Sequence, residues 1–333
     1  DPVIAGEGLY KDDPFWCGRP HLSCHVITAL TCLGEKARQP LLFLKPWYQK
    51  EFILSWLNSR NWAEGVANTG NEIMNLGTLL QYSRDFHGDR QAGRAANLLL
   101  DWLSSHYLQE ETGTWGRIDT SHPFWRSQAV QAAYHLWSLF FYDGRPIPFL
   151  ERAIDTVLAT QNPLGGFGWG VHNREKPFHS SACEDIDSID PLCRMLAITD
   201  YRRQEMIAAL LKAEKWVLSN QVRDGGFVFI KDQVFTYGHS QLTSGPGEGA
   251  MFPTWFRLLS LSFIGTSVPG SLASQVGWHF LNCPGMQFSP KGPTRDRQIS
   301  ASSVAETFHS ERNNQEVTES VKKGSVKKGI KEE

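Results

Sequence analysis

Long apolar runs are missing from this sequence of 333 residues, and its net charge is small. No segment reaches about 20 unbroken apolar residues, and none joins a basic start to an apolar core, so neither a membrane span nor a signal peptide is predicted. The 33 basic and 35 acidic residues leave a formal charge of -2, which removes any global attraction to polyanions. We therefore expect no nucleic-acid partner.

Cysteine pairs and cofactor motifs are also lacking. The six cysteines have no CxxC spacing, which argues against a zinc ribbon or a disulfide framework and favours reduced thiols in a cytoplasmic protein. The glycine-rich run at 244–248 lacks the lysine of a phosphate-binding loop, so we predict no cofactor and no metal. The first residue, Asp1, is not a methionine, and we expect the chain to be part of a longer protein.

The sequence does contain a repeat, in which an apolar helix ends near a glutamine and a glycine-rich turn then leads to an aromatic residue. Three copies occupy 102–115, 158–167 and 216–227, and a degenerate copy at 56–65 has Arg60 in place of the glutamine. Glycine supplies the left-handed residue that ends a helix, and a glutamine amide can bond the backbone groups left open there. The resulting units of roughly 50 residues match the scale of helix-pair repeats.

Between the turns, apolar residues recur at intervals of three and four, which predicts helices that each bury one stripe. We expect an all-α fold of five visible helix pairs in one domain over residues 1–285. Residues 286–333 have too few apolar side chains to offset the entropy lost on ordering, so a disordered tail or linker is expected. The predicted helices lie near 20–34, 46–60, 70–87, 91–107, 124–142, 149–161, 187–200, 204–220, 250–264 and 271–282.

The glutamine, glycine and aromatic residue after each helix resemble the QW repeat of squalene-hopene and oxidosqualene cyclases. The β subunits of protein prenyltransferases share the toroid of those enzymes. The resemblance covers nearly all of residues 1–285 and implies an (α/α) toroid of about five to six helix pairs. It also implies an apolar isoprenoid substrate and peripheral contact with a membrane.

The acidic segment 183–190, Cys-Glu-Asp-Ile-Asp-Ser-Ile-Asp, is similar to the DxDD motif of class II terpenoid cyclases. By that match, Asp187 takes the middle, proton-donating position and Asp185 the first, while Ser188 stands where the motif has its last aspartate. Protonating an alkene requires a carboxylic acid that stays protonated at neutral pH. Clustered carboxyl groups in apolar surroundings raise the pKa of one member in that way.

Other groups are expected to assist this acid. Glu184 would join Asp185 as an electrostatic partner, and His179 would tune the acidity through a hydrogen bond. The carbocation that forms needs aromatic faces around it and no nucleophile nearby. Polar residues of the loops are also expected to converge at one mouth of the ring. The residues that we expect to bind substrate are Trp125, Trp169, Phe178, Trp255, Glu72 and His122.

Three other interpretations stay open at this point. The carboxylates of 184–187 can be the acidic first turn of a helix in a protein that only binds. A zinc prenyltransferase needs an Asp, a Cys and a distant His, and those ligand types are present, in reversed order, as Cys183, Asp185 and His239. A glycan hydrolase or lyase needs two carboxyl groups, for which the sequence offers Glu72, Asp119 and Asp187.

Overall fold

The computed structural model describes residues 19–238, 240–278 and 288, and this part of the chain is mostly α-helical, which confirms the all-α class at that level. Short 3-10 helices cover Leu42–Tyr48 and Ala273–Gln275, and antiparallel ribbons pair β1 (Leu108–Gln109) with β2 (Thr114–Trp115) and β3 (Phe235–Thr236) with β4 (Thr243–Ser244). The α-helices are α1 (Arg19–Cys32), α2 (Lys50–Asn58), α3 (Val66–His87), α4 (Arg90–Leu103), α5 (Pro123–Asp143), α6 (Leu150–Leu158), α7 (Ala182–Leu196), α8 (Arg203–Leu218) and α9 (Met251–Ser267).

The odd-numbered helices pack in series, with α1 on α3, α3 on α5, α5 on α7 and α7 on α9. The even-numbered helices pack against members of this row, as α4 does on α3 and α8 on both α7 and α9. Every residue of α3 from Ile73 to Ser83 is buried because other helices cover the helix on several sides. By contrast, α4 leaves Arg94 and Asn97 exposed and buries Ala92, Ala96 and Leu99.

The glutamine turns behave as their chemistry predicts. The amide Nε2 of Gln109 donates to the carbonyl oxygen of Gly116 at 2.9 Å, and Nε2 of Gln161 donates to the carbonyl oxygen of Gly165 at 3.0 Å. Gln161 Nε2 also reaches the carbonyl oxygen of Ala209 on α8, at 2.7 Å. The aromatic residue after each turn is buried between helices, as Phe167 is, so the repeat both ends a helix and seals the junction to the next one.

The start of α7 differs from the prediction, which placed it near residue 187. The helix begins at Ala182 because Ser181 and Glu184 form a capping box. Ser181 Oγ accepts from the Glu184 amide at 3.1 Å, and the Glu184 carboxylate accepts from the Ser181 amide at 2.9 Å. Asp187 therefore lies on the second turn of the helix, one turn beyond the amides that have no carbonyl partner within the helix.

The helix predicted for 271–282 is wrong over its described part, 271–278, where only a 3-10 turn forms. Glu214 on α8 accepts hydrogen bonds from the amides of Leu272 and Ala273, at 3.2 and 2.7 Å. Trp278 Nε1 donates to the carbonyl oxygen of Ala273 at 2.7 Å. These tertiary bonds replace the helical ones. Residues 279–282 lie outside the described part.

All described residues belong to one unit, Asp1–Pro293. The predicted tail, 286–333, lies outside the described residues except for Phe288. That residue is fully buried, and its ring lies 5.0 Å from the Tyr82 ring and 4.8 Å from the Tyr142 ring, measured between centroids. Phe288 thus packs against α3 and α5.

Gly70 sets the distance between α3 and α5, because a Cβ at this position would lie 2.6 Å from the carbonyl oxygen of Ala132 and 2.7 Å from its Cα. Gly70→Ala should lower the free energy of unfolding by about 2 kcal/mol, since backbone cannot yield as a side chain can and the gain in helix propensity is only about 1 kcal/mol. Urea denaturation measures the change. The matched control is Gly77→Ala, whose Cβ would meet the end of the Leu139 side chain. Equal losses in both variants would contradict the explanation.

Candidate active site

A cavity of about 470 Å³ lies among all five odd-numbered helices and the segment 229–238 that carries β3. Its volume falls in the range of about 300–1,000 Å³ that is usual for ligand pockets. Within the described part of the chain, Asp187 is the one carboxyl group that lines the cavity, and no lysine or arginine does. The aromatic side chains in the wall are Tyr134, Phe229, Phe235, Tyr237, Phe252 and Phe256.

Asp187 is buried, with 4% of its surface exposed, and it faces the cavity from α7. Burial raises the pKa of its carboxyl group well above the usual value, and the charges of Glu184, Asp190 and Asp185 raise it further. No hydrogen bond joins this carboxyl group to another described side chain. The environment of Asp187 therefore favours the protonated form of a carboxyl group that faces the cavity.

Asp185, two residues earlier, has a different environment. Its carboxylate pairs with Arg257 of α9, and both side chains are fully buried. The same carboxylate accepts hydrogen bonds from Trp216 Nε1 at 2.9 Å, from Ser180 Oγ at 2.8 Å and from the Phe167 amide at 2.9 Å. Asp185 thus joins α7, α8, α9 and the second glutamine turn, and its carboxylate does not line the cavity.

Glu184 is also buried, and its carboxylate is held by backbone amides. In addition to the capping bond, it accepts from the Val171 amide at 3.1 Å and lies 3.5 Å from Nδ1 of His172. Its charge acts on Asp187 through space, as the largest charge effect on the pKa of that carboxyl group. His172 lines the cavity.

The other predicted residues lie outside the cavity wall. The ring of His179 faces Trp216 at 5.9 Å, Trp169 packs edge-on against Phe178 at 5.0 Å, and Trp125 packs against Phe124 at 4.9 Å. Trp255 contacts the ring of His25 at 5.8 Å. Glu72 pairs with Arg60 at 2.7 Å, and His122 precedes α5 without a capping bond from its side chain.

The aromatic wall comes instead from residues that the sequence analysis did not select. Phe229, Phe235 and Tyr237 follow the third glutamine turn, and Phe252 and Phe256 occupy one face of α9. The separation of four residues between Phe252 and Phe256 indicates that both rings lie on the same face of a helix. The segment 229–238 has no helical spacing, because it is irregular apart from the two residues of β3, so only the tertiary fold brings its rings to the cavity.

A chain of neutral polar groups forms the wall on α1, α3 and α5. His135 donates from Nδ1 to the carbonyl oxygen of Gln131 at 2.6 Å and accepts at Nε2 from Asn71 at 3.3 Å. Asn75 donates to the side-chain oxygen of Asn71 at 2.9 Å, and Nδ1 of His21 lies 3.4 Å from the side-chain oxygen of Asn75. Burial lowers the pKa of His135 to about 4 and also lowers that of His21, so neither adds a positive charge at neutral pH.

The mixed zinc set proposed from the sequence does not come together among the described residues. Burial raises the pKa of the Cys183 thiol well above its usual value, and the Asp185 carboxylate is taken up by Arg257. His239 lies outside the described residues. Over that part of the chain, no three His, Cys, Asp or Glu side chains are grouped as a metal site would require.

None of the described helices is both long enough and apolar enough to cross a membrane. Comparisons of the chain with protein-family models, with curated proteins and with solved structures found no match. The resemblance to terpenoid cyclases therefore depends on the repeat and on the acidic motif of this chain alone.

Proposed function

We propose that this protein cyclises a neutral, apolar isoprenoid in a protonation-initiated reaction of the class II terpenoid cyclase type, with Asp187 as the general acid. The observation that carries the proposal is the buried carboxyl group of Asp187, whose pKa is raised by burial and which faces a cavity with aromatic walls. Alkene protonation needs an acid that keeps its proton at neutral pH and surroundings that exclude bulk water. The raised pKa of Asp187 meets the first condition, and its burial at 4% exposure supports the second.

The same proposal arranges the helices as an (α/α) toroid. Its support is the serial packing of the odd-numbered helices, together with one aromatic contact between the first and the last of them. His25 of α1 lies 5.8 Å from Trp255 of α9, measured between ring centroids. In a closed ring the loops of successive pairs converge on one mouth, which accounts for a cavity lined by all five of these helices.

In the proposed first step, the Asp187 carboxyl group transfers its proton to one carbon of an alkene. The two π electrons form the new C–H bond, and the neighbouring carbon becomes the cation. Further double bonds of the same substrate then attack in turn and close the rings. The last cation loses a proton or adds water, and the Asp187 carboxylate regains a proton from solvent.

The aromatic wall is suited to stabilise a carbocation that moves along the substrate as the rings close. The rings of Phe229 and Phe235 stack at 4.2 Å, those of Tyr237 and Phe252 at 4.3 Å, and those of Phe252 and Phe256 lie 4.5 Å apart. The faces of aromatic rings attract cations, by about 2 kcal/mol or more where water is excluded. We infer that these rings, rather than the tryptophans selected from the sequence, stabilise the intermediates.

The substrate that fits this wall is uncharged. A diphosphate group requires arginine, lysine or a metal ion to balance its charge, and the described lining includes neither of those residue types. Val234 lines the cavity and is 63% exposed, and Met251, the first residue of α9 and next to the lining residue Phe252, is 86% exposed. These apolar side chains are suited to peripheral contact with a membrane that holds the substrate.

A glycan hydrolase has less support from the same cavity. Such an enzyme places two carboxyl groups on either side of the scissile bond. Of the three candidates, Glu72 is paired with Arg60 and Asp119 caps a turn by accepting from the Ser121 amide at 3.0 Å. Only Asp187 among them lines the cavity.

The test is product analysis by gas chromatography and mass spectrometry. The full chain is incubated separately with squalene, with its epoxide and with geranylgeranyl diphosphate, in detergent micelles. We expect a cyclic product from one or both neutral substrates and none from the diphosphate. Turnover of the diphosphate alone would contradict the assignment of a neutral substrate, and no product from any of the three would overturn the proposed reaction.

A further inference from the structure

Gln131 of α5 carries a buried amide that has no partner among the described residues. Only 6% of the residue is exposed, and it lines the cavity. Its backbone carbonyl oxygen accepts from His135, but its side-chain amide forms no hydrogen bond within the described part of the chain. Most buried amides are hydrogen-bonded, because a polar group taken out of water without a partner costs free energy. The Gln131 amide is therefore available to a polar group in the cavity.

The close crossing of α3 and α5 brings a second amide, that of Asn71, to the same part of the wall. At the crossing, a Cβ on Gly70 would lie 2.6 Å from the carbonyl oxygen of Ala132. Asn71 follows Gly70 and Gln131 precedes Ala132 in the sequence, and both Asn71 and Gln131 line the cavity. Nδ2 of Asn71 donates one proton to Nε2 of His135 at 3.3 Å, and its other proton has no acceptor among the described residues.

The hydrogen-bonding character of these two amides indicates which group they fit. Because His135 donates through Nδ1, its Nε2 accepts, and this bond fixes the Asn71 amide with its N–H group as the donor. Gln131 offers both N–H donors and a carbonyl acceptor. A hydroxyl group uses both kinds of partner, since its single oxygen atom donates one hydrogen bond and accepts others. An ether or a ketone only accepts and would leave the Gln131 oxygen unpaired.

We propose that Gln131 and Asn71 form a subsite for the hydroxyl group of an isoprenoid alcohol. The hydroxyl group donates to Oε1 of Gln131 and accepts from Nδ2 of Asn71, while the hydrocarbon chain lies against the aromatic wall. A hydroxyl group is uncharged, which agrees with a described lining that has no lysine or arginine.

This inference rests on the proposed cyclisation and specifies its substrate class. Anchoring one end of the substrate limits which of its double bonds can reach Asp187, so the subsite would position the chain for protonation. A pure hydrocarbon also fits the aromatic wall, but it leaves both amides unpaired. An alcohol should therefore bind more tightly than a hydrocarbon of the same length.

The test compares ligands that differ only in the polar group. The probes are tritiated geranylgeraniol, its methyl ether and the hydrocarbon in which hydrogen replaces the hydroxyl group. Their dissociation constants from the full chain are measured by equilibrium dialysis, with methyl-β-cyclodextrin as the carrier. We expect the alcohol to bind about tenfold more tightly than the ether or the hydrocarbon, because only the alcohol pairs both amides.

Gln131→Leu keeps the approximate size of the side chain and removes its hydrogen-bonding groups. It should weaken binding of the alcohol about tenfold and leave binding of the hydrocarbon as tight or tighter. If Gln131 served only to hold the fold, the substitution would instead weaken all three probes alike. The matched control is Gln128→Leu, on the same helix but not in the cavity lining, which should keep the preference for the alcohol.

Circular dichroism checks that each variant is folded, and the comparison of probes on the unmodified chain does not depend on any variant. Equal binding of the three probes, no binding of the alcohol, or a preference that survives in folded Gln131→Leu overturns the subsite. Because only binding is measured, such a result leaves the cyclisation of a hydrocarbon untouched. Binding of the alcohol that depends on Gln131, with no cyclic product from any substrate, supports the subsite and contradicts the proposed reaction.

Discussion

Asp187→Asn is expected to lower the rate of cyclisation at least about 10³-fold, while the protein stays folded. Asparagine has the shape of a protonated aspartate but no acidic proton, so the cavity keeps its form and only the proton transfer is lost. Product formation by mass spectrometry and denaturation by urea measure the two consequences together. A variant that retains the product would remove Asp187 from the reaction.

The same substitution should also stabilise the protein as pH rises. Because the pKa of Asp187 is raised in the folded state, the folded chain holds a proton that the unfolded chain releases above about pH 4. This acid therefore lowers the stability of the unmodified protein progressively from that pH up to its folded pKa. Asparagine does not titrate, so the stability of the variant does not fall in this way. The difference in free energy of unfolding in favour of the variant should therefore grow between pH 5 and the pKa of Asp187 in the folded protein. Urea denaturation at a series of pH values measures it.

The matched control is Asp200→Asn, whose side chain is 95% exposed. It should leave both product formation and stability almost unchanged, because an exposed carboxylate is solvated equally in both states. If Asp187→Asn loses stability at neutral pH while the control does not, Asp187 is ionised in the folded protein and its role as a proton donor fails.

Breaking the buried pair of Asp185 and Arg257 is expected to have the largest effect on stability. Arg257→Met leaves the Asp185 carboxylate buried without its counter-charge, which costs about 3–5 kcal/mol. The loss would loosen the junction of α7, α8 and α9, since the same carboxylate also holds Trp216 and the second glutamine turn. Urea denaturation of the unmodified and variant proteins measures it.

Two comparisons make this prediction specific. The double variant Asp185→Leu with Arg257→Met should be less destabilised than the sum of the single variants, because neither charge is then left unpaired. Arg145→Met, which breaks the exposed pair with Asp101, should cost about 1 kcal/mol or less. Strict additivity in the double variant, or a loss for Arg257→Met no larger than for Arg145→Met, would show that the buried pair is not a structural anchor.

Features encoded within a few residues could be read from the sequence. The helices and glutamine turns were predictable because each depends on local spacing: Gln161 bonds Gly165, four residues away, and apolar residues recur at helical intervals. The acidic segment was recognisable for the same reason. Even the true start of α7 was readable, since Ser181 and Glu184 have the spacing of a capping box.

Which carboxyl group faces the cavity was decided only by the tertiary structure. Asp185 and Asp187 are two residues apart, about 200° around the helix axis, so they point to opposite sides, and the sequence does not say which side is which. Arg257, 72 residues along the chain from Asp185, takes one carboxylate and leaves the other to the cavity.

The same limit applies to the cavity wall. The tryptophans selected from the sequence lie outside the cavity wall, whereas Phe229 and Tyr237 reach the cavity from irregular backbone. The sequence by itself determined the helix pattern, the turns and the presence of an acidic cluster, because these depend on short-range spacing. The tertiary structure alone decided which of those side chains meet, because contacts across the fold depend on how distant helices pack and not on any local period.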